Sequence, residues 1–358
     1  MKKKSATIIL LGATGYTGRL IASLLDENEI AVCLAGRSAE KLNELQKTLK
    51  QPHSILEVDV TGGKKLNESL NDFEVIINCV GPYNLWGSPV LDFCRNNGKI
   101  YIDISGEQYF IHESFLKNKE AINSGASIIH SVSFESALAE ILASEFVDAS
   151  ISYKEISSYY FFDKSRPSPG TRLTMQLAKN FPTYYVNDGR LKEEVSLGVQ
   201  ENVVFDFARG CTKALFMPYP EILFFKKRFQ VQKSISYLLL DDSAAMLLQM
   251  SAKNSVPQLD AALAKHQKVN PQGPTAEQRT IQEFILAVKS VSENNEMQIR
   301  HIAGNDMYGM TAFLVVKLVK HILNGHQLPK GVITPVEAGG WENVWDEMKK
   351  SGFIAVNS

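Results

Sequence analysis

The run Gly12-Ala13-Thr14-Gly15-Tyr16-Thr17-Gly18 sets three glycines at the spacing G-x-x-G-x-x-G, directly after the apolar residues Ile8-Ile9-Leu10-Leu11. A glycine turn that ends a strand and opens a helix presents several main-chain N–H groups at the positive end of the helix dipole, an arrangement suited to a pyrophosphate. In this pattern Gly12 permits the tight turn and Gly15 lets the backbone approach the phosphates. Gly18 allows the helix to pack closely on the strand, while the hydroxyls of Thr14 and Thr17, either side of Tyr16, add donors. About twenty residues beyond Gly18, where a carboxylate would bind the ribose hydroxyls of NAD, the chain carries Arg37-Ser38 instead. A guanidinium and a hydroxyl there match a 2′-phosphate, so the coenzyme expected is NADP(H) rather than NAD(H). The competing reading of Arg37 is a solvated residue at the end of a strand.

A third segment, Asn78-Cys79-Val80-Gly81-Pro82-Tyr83, ends the fourth apolar run, Val75 to Val80. Ligands of open parallel sheets lie at the carboxyl ends of the strands, which assigns Asn78, Val80, Gly81 and Tyr83 to the coenzyme as well. Asp103, Ser105 and Glu107 end the fifth run and could orient a substrate or relay a proton, although Ser105-Gly106-Glu107 reads equally well as a helix cap. No catalytic residue is assigned. Tyr160 and Lys164 have the spacing of a phenol and its ammonium partner on one helix face, but Tyr159-Tyr160-Phe161-Phe162 reads as a strand. Residues four apart on a strand lie about 13 Å from each other, so the pair is read as coincidence. The seven histidines are scattered without a metal-ligand cluster, and no metal is expected.

These residues need elements to position them. Up to about residue 130, short β-branched runs (Thr7 to Leu11, Ile30 to Ala35, Ser54 to Val58, Val75 to Val80, Lys99 to Ile104, Ser127 to His130) alternate with stretches of helical periodicity such as Leu20, Ile21, Leu24 and Leu25. Each intervening stretch is long enough to cross over a sheet, which predicts a Rossmann-type, parallel, doubly wound α/β domain over residues 1–130. Beyond it, aromatic-rich runs (Ser157 to Phe162, Val203 to Phe207, Phe229 to Leu240) predict antiparallel strands. A hairpin is expected around Ser292-Glu293-Asn294-Asn295. Together these define a substrate or lid domain of α+β class on a mixed or antiparallel sheet over residues 131–303. Lys226-Lys227-Arg228 is read as a strand turn. Residues 304–358, with a helix from Thr311 to Leu323, are expected to pack back on the first domain.

The balance of 38 basic against 39 acidic residues gives a net charge of −1, which disfavours nucleic acid and anionic membranes as partners. A small-molecule substrate is expected, and homo-oligomerisation is left open. Met1-Lys2-Lys3-Lys4 precedes an apolar stretch too short for a secretory leader, and no segment reaches the roughly 18 apolar residues of a membrane span. The four cysteines (Cys33, Cys79, Cys94, Cys211) lack metal or redox spacing and read as reduced core residues, so the expected compartment is the cytoplasm.

The quoted motifs resemble the saccharopine dehydrogenase-like oxidoreductases, a group that includes the trans-acting enoyl reductases. The resemblance rests on Gly12 to Arg19, Leu34 to Ser38, Asn78 to Tyr83 and Tyr101 to Glu107. Downstream it continues in Gly170-Thr171, Asp188 to Leu191, Gly304 to Ala312 (with Tyr308-Gly309) and Gly331 to Gly339. Where that family carries Cys-Gly-Phe-Asp-Ser-Ile-Pro, this chain has Ser131-Val132-Ser133-Phe134-Glu135-Ser136-Ala137, which keeps only the Phe-acid-Ser core. The resemblance implies a Rossmann domain, an inserted substrate domain on a mixed sheet, and pyridine-nucleotide redox chemistry, without implying saccharopine as the substrate. The function expected is an NADP(H)-dependent oxidoreductase moving hydride to or from a small or acyl-chain substrate. The alternative is a catalytically inactive NADP(H)-binding sensor.

Overall fold

The structure, a computed structural model, describes residues 8–194, 200–202, 205–241 and 273–355. The Met1-Lys2-Lys3-Lys4 leader reading and residues 203–204 of the second aromatic run lie outside the described residues. The strands are β1 (Ile8–Leu11), β2 (Cys33–Gly36), β3 (Ser54–Glu57), β4 (Val75–Asn78), β5 (Ile100–Asp103), β6 (Ser127–Ile129), β7 (Ser152–Asp163), β8 (Thr183–Asn187), β9 (Arg190–Glu194), β10 (Gln200–Asn202), β11 (Lys213–Phe216), β12 (Gln230–Lys233), β13 (Ser236–Leu240), β14 (Glu283–Ser292), β15 (Met297–Asn305), β16 (Gly331–Ile333) and β17 (Ile354–Ala355). They divide between two compact units.

The first unit takes the residues up to Gly106 together with Phe110–Phe134 and Tyr308–Glu342. Its seven strands run in the order β16-β6-β5-β4-β1-β2-β3, and every pair is parallel. A parallel sheet is covered by helices on both faces, which is why β1 and β4 are buried along their whole length and read as unbroken apolar runs. Consecutive strands β1, β2 and β3 go one way and β4, β5 and β6 the other. The order therefore reverses between β1 and β4, the topological switch point where doubly wound sheets hold their ligands. The helix Tyr16–Glu27 covers the sheet through Ile21, Ala22 and Leu25.

The second unit takes Glu107–Tyr109, Glu135–Met307 and the residues from Asn343 onward. Its large sheet runs β10-β11-β13-β7-β14-β15-β17, with β12 also on β7, and a separate hairpin joins β8 to β9. The expected hairpin is present as β14 and β15, paired from Glu283↔Asn305 to Val291↔Met297. The sheet is mixed, in line with the expected mixed or antiparallel class, because β12 and β13 run parallel to β7 where the aromatic run Phe229 to Leu240 had suggested antiparallel strands. Tyr159 stacks on Tyr237, its register partner across β7 and β13, with centroids 5.1 Å apart.

Three further readings are corrected. Lys226-Lys227-Arg228 closes the helix Glu221–Arg228, where cations complement the carboxyl-end dipole, and Arg228 pairs with the buried Glu140. Asp206–Ala208 forms a short 3₁₀ turn instead of a strand. The tail divides at residue 342: the helix Met307–Leu323 and β16 build the first unit, while β17 adds to the open edge of β15 at Ala303 and Gly304. All four cysteines are free thiols.

Candidate functional site

The turn after β1 is shaped by contacts that only glycine permits. Gly12 has φ +76°, a left-handed conformation, and a Cβ there would lie 3.0 Å from the Cys79 carbonyl carbon. At Gly18 an added Cβ would stand 2.2 Å from the Gly12 carbonyl oxygen, so any side chain would push the helix off the strand. The Gly15 amide donates to the Gly12 carbonyl at 2.9 Å, and the Ala13 amide donates to the Ala35 carbonyl at 3.1 Å, tying the turn to the end of β2. Gly15 is the N-cap of the helix Tyr16–Glu27 and has no side chain to cap the first-turn amides, nor does that turn carry an acidic residue. An anion is the partner such a helix start accepts.

Arg37 follows β2 and is exposed. It borders a cavity of about 260 Å³ lined also by Glu57, Val58, Asp59, Lys65 and Leu66. The Asp59 carboxylate accepts from the Thr61 amide at 2.9 Å and the Thr61 hydroxyl at 2.8 Å. These bonds, with Arg37 nearby, hold it below the usual carboxylate range. Lys65 is a second cation on this cavity that sequence reading missed. Its only signal was the Gly62-Gly63-Lys64-Lys65 run after β3. Ser38 caps the helix Ala39–Gln46, its oxygen accepting from the Lys41 amide at 3.3 Å.

At the end of β4 the structure brings Asn78, Val80 and Tyr83 together as a closed knot. The Asn78 carboxamide donates to the Tyr101 hydroxyl at 3.2 Å and accepts from the Val80 amide at 3.0 Å, while the Tyr83 hydroxyl donates to the Asn78 carbonyl at 2.8 Å. Tyr83 is buried, with Phe110 tilted against it at 5.6 Å. Its hydroxyl donates to the backbone. Burial first, then Asp103, pushes the Tyr101 phenol well above its ordinary range, so it stays neutral.

Asp103, whose role the sequence left open, is wholly buried at the carboxyl end of β5. One carboxylate oxygen accepts from the amides of Ser105 (3.0 Å) and Ser131 (2.8 Å); the other lies 2.7 Å from His130 Nδ1. His130 Nε2 lies 2.7 Å from the Ser114 hydroxyl, and all three side chains are buried. Ser131 takes φ +56°, a conformation that costs a non-glycine residue about 1–3 kcal/mol and is held here from outside by Asp103. The geometry is that of an acid–base–hydroxyl series, closed away from solvent and therefore a brace for the turn after β6. Dispersed over 27 residues, it had no sequence signature beyond the three residue types.

Tyr160 and Lys164 are not a pair: the Tyr160 hydroxyl donates to Glu221 at 2.8 Å, while Lys164 is exposed beside Asp163.

A glycine turn at the switch point of a seven-stranded parallel sheet, with a guanidinium after β2, defines a Rossmann-type dinucleotide-binding domain. Residues 8–129 match the saccharopine dehydrogenase NADP binding domain. Among curated proteins, the chain is similar to a saccharopine dehydrogenase-like oxidoreductase of Bos taurus, 32% identical over 152 residues, covering 37% of this chain and 35% of the relative. It is similar also to a trans-acting enoyl reductase of Mycobacterium leprae, 32% identical over 145 residues, covering 39% of this chain and 35% of the relative. The matching stretch thus spans about a third of the length of these relatives. In fold, apo saccharopine dehydrogenase (L-Glu forming) of Saccharomyces cerevisiae aligns over 97% of this chain and 98% of its own, with a TM-score of 0.59 and 14% identity. Among the described residues no helix is long and apolar enough to cross a membrane.

Proposed function

We propose that this chain is an NADP(H)-dependent oxidoreductase that transfers hydride to or from a small or acyl-chain substrate. The observation that carries the reading is the Gly12–Gly18 turn, whose backbone leaves no room for a side chain at Gly18 and whose helix start lacks a cap. The first-turn amides would hold the diphosphate, with Thr14 and Thr17 as added donors, and Gly81 would let the nicotinamide half run close to the chain. Arg37 and Lys65 would face the 2′-phosphate, Ser38 holding the start of the helix Ala39–Gln46 beside them. Asn78, Val80 and Tyr83 would set the shape of the turn below the nicotinamide. The bound coenzyme supplies or accepts the hydride; the chain's residues bind and orient it.

The test is binding first and turnover second. NADPH should quench or shift the fluorescence of the protein on titration. Arg37→Asp should weaken NADPH at least tenfold more than NADH, because it replaces attraction with repulsion at the 2′ position, a difference of about 1.4 kcal/mol or more. Equal losses would remove Arg37 from coenzyme choice. Oxidation of NADPH on adding acyl, imine or carbonyl compounds then identifies the substrate class, and binding without turnover across such a panel would overturn the oxidoreductase reading.

A further inference from the structure

The first turn of the helix Met307–Leu323 touches the sheet's carboxyl edge at two separate places. The Tyr308 ring meets Tyr16, the first residue of the helix that opens from the glycine turn, edge to face with centroids 4.9 Å apart. Three residues on, the Thr311 hydroxyl accepts from the Phe134 amide at 3.2 Å, in the segment that follows β6. Residues at i and i+3 share one helix face, about 5–6 Å apart. In the strand order β6-β5-β4-β1, β6 and β1 stand three intervals apart, roughly 14 Å at the usual strand spacing. A single helical turn therefore links the segment after β1 to the segment after β6, the strands that flank β5 and β4 in the sheet order. A dinucleotide gripped at β1 must extend its nicotinamide half through that region.

We infer that the turn Tyr308–Thr311 is a fixed strap over the diphosphate and nicotinamide half of the coenzyme crevice, with Tyr308 a positioning residue that acts by bracing Tyr16. The inference rests on the proposed coenzyme function. It divides the crevice into two parts with different keepers. Arg37 and Lys65 serve the adenosine 2′-phosphate, and the strap serves the diphosphate end. Thr311 is 5% exposed and tied to the backbone after β6, so the strap is anchored at its far side. The ring of Tyr308, and not its hydroxyl, makes the described contact with Tyr16, so a phenylalanine preserves it.

The division is tested by titrating the full chain with NADPH and, separately, with adenosine 2′-phosphate, which lacks both the diphosphate and the nicotinamide. Tyr308→Ala should weaken NADPH roughly fivefold to tenfold, the usual worth of an aromatic pair. It should leave adenosine 2′-phosphate unchanged, and Tyr308→Phe should bind both ligands as the parent does. Tyr308→Leu, which keeps bulk on the helix, should follow Ala and serves if the alanine variant does not fold. Arg37→Asp should weaken both ligands. An unchanged NADPH affinity in Tyr308→Ala and Tyr308→Leu, or an equal loss for adenosine 2′-phosphate, would overturn the strap while leaving the coenzyme reading intact. A parent protein that binds neither ligand would overturn the coenzyme reading itself, and the strap with it.

Discussion

Each unit has a wholly buried carboxylate that gathers several donors, Asp103 in the first and Glu221 in the second, and the two are satisfied by different kinds of donor. Asp103 holds two main-chain amides and an imidazole. Glu221 is met by four side-chain hydroxyls besides its own amide: Ser158 at 2.5 Å and Tyr160 at 2.8 Å on one oxygen, together with Ser236, and Ser136 at 3.2 Å on the other. Backbone amides cannot turn away, so Asp103 dictates a chain path, including the left-handed Ser131. Hydroxyls rotate, and Tyr160 has a second acceptor in the Glu135 carbonyl at 3.2 Å, so the Glu221 cluster can rearrange its hydrogens when the carboxyl gains a proton. Burial raises the affinity of Glu221 for that proton, against the lowering effect of its hydroxyl donors. The difference teaches that the coenzyme-binding unit uses its buried carboxyl group to set geometry, while the second unit uses Glu221 to join elements side chain to side chain.

The largest effect that would break this comparison is at Asp103. Asp103→Ala leaves two buried amides and a buried imidazole without their acceptor, and should cost about 3–5 kcal/mol in denaturant unfolding. The amides of Ser105 and Ser131 should lose hydrogen-exchange protection first. A loss below about 1 kcal/mol would show that the amides find other partners and that Asp103 does not set the turn.

The next effect sharpens the contrast through pH. Glu221 ordinarily would release its proton near 4.5, and in the fold it holds the proton to higher pH. The unfolded chain therefore binds fewer protons than the folded chain above that value, so stability should fall as pH rises from 4.5 toward the folded value. Glu221→Gln has no proton to release and should flatten this slope, as read from unfolding midpoints between pH 4.5 and 7. Identical slopes in parent and variant would mean that the cluster holds an ionised carboxylate throughout.

The smallest effect is at Ser114, the end of the first unit's series. Ser114→Ala removes one hydroxyl from His130 while the bond from His130 to Asp103 stays in place, and should cost about 1 kcal/mol. A cost equal to that of Asp103→Ala would make the three side chains one inseparable network.

The glycine turn and the six strands that carry it were legible because their signals are local. Apolar runs such as Ile76-Ile77 end at the edge where a ligand is needed, and Arg37 sits at a fixed interval from the turn. The buried series was not legible, since Asp103, Ser114 and His130 are brought together only by the pairing of β5 with β6 and by a helix between them. Tyr83 was ambiguous from its type, since a tyrosine that suits a turn at a ligand also suits a buried phenol bonded to a carbonyl. The parallel direction of β12 and β13 on β7 was hidden for another reason: alternation along a strand tells which faces are buried, never which way the neighbour runs. The contact of Tyr308 with Tyr16 spans most of the chain and has no periodic trace.

The chain leaves the seven-stranded sheet after β6 and rejoins it at β16, which lies beside β6 in register Ser127↔Gly331 to Ile129↔Ile333. Nearly all of the second unit is threaded between these two neighbouring strands. Selection therefore has a cassette with one seam: the intervening residues can diverge in length and chemistry, and the nucleotide fold is untouched as long as two adjacent three-residue strands still zip together.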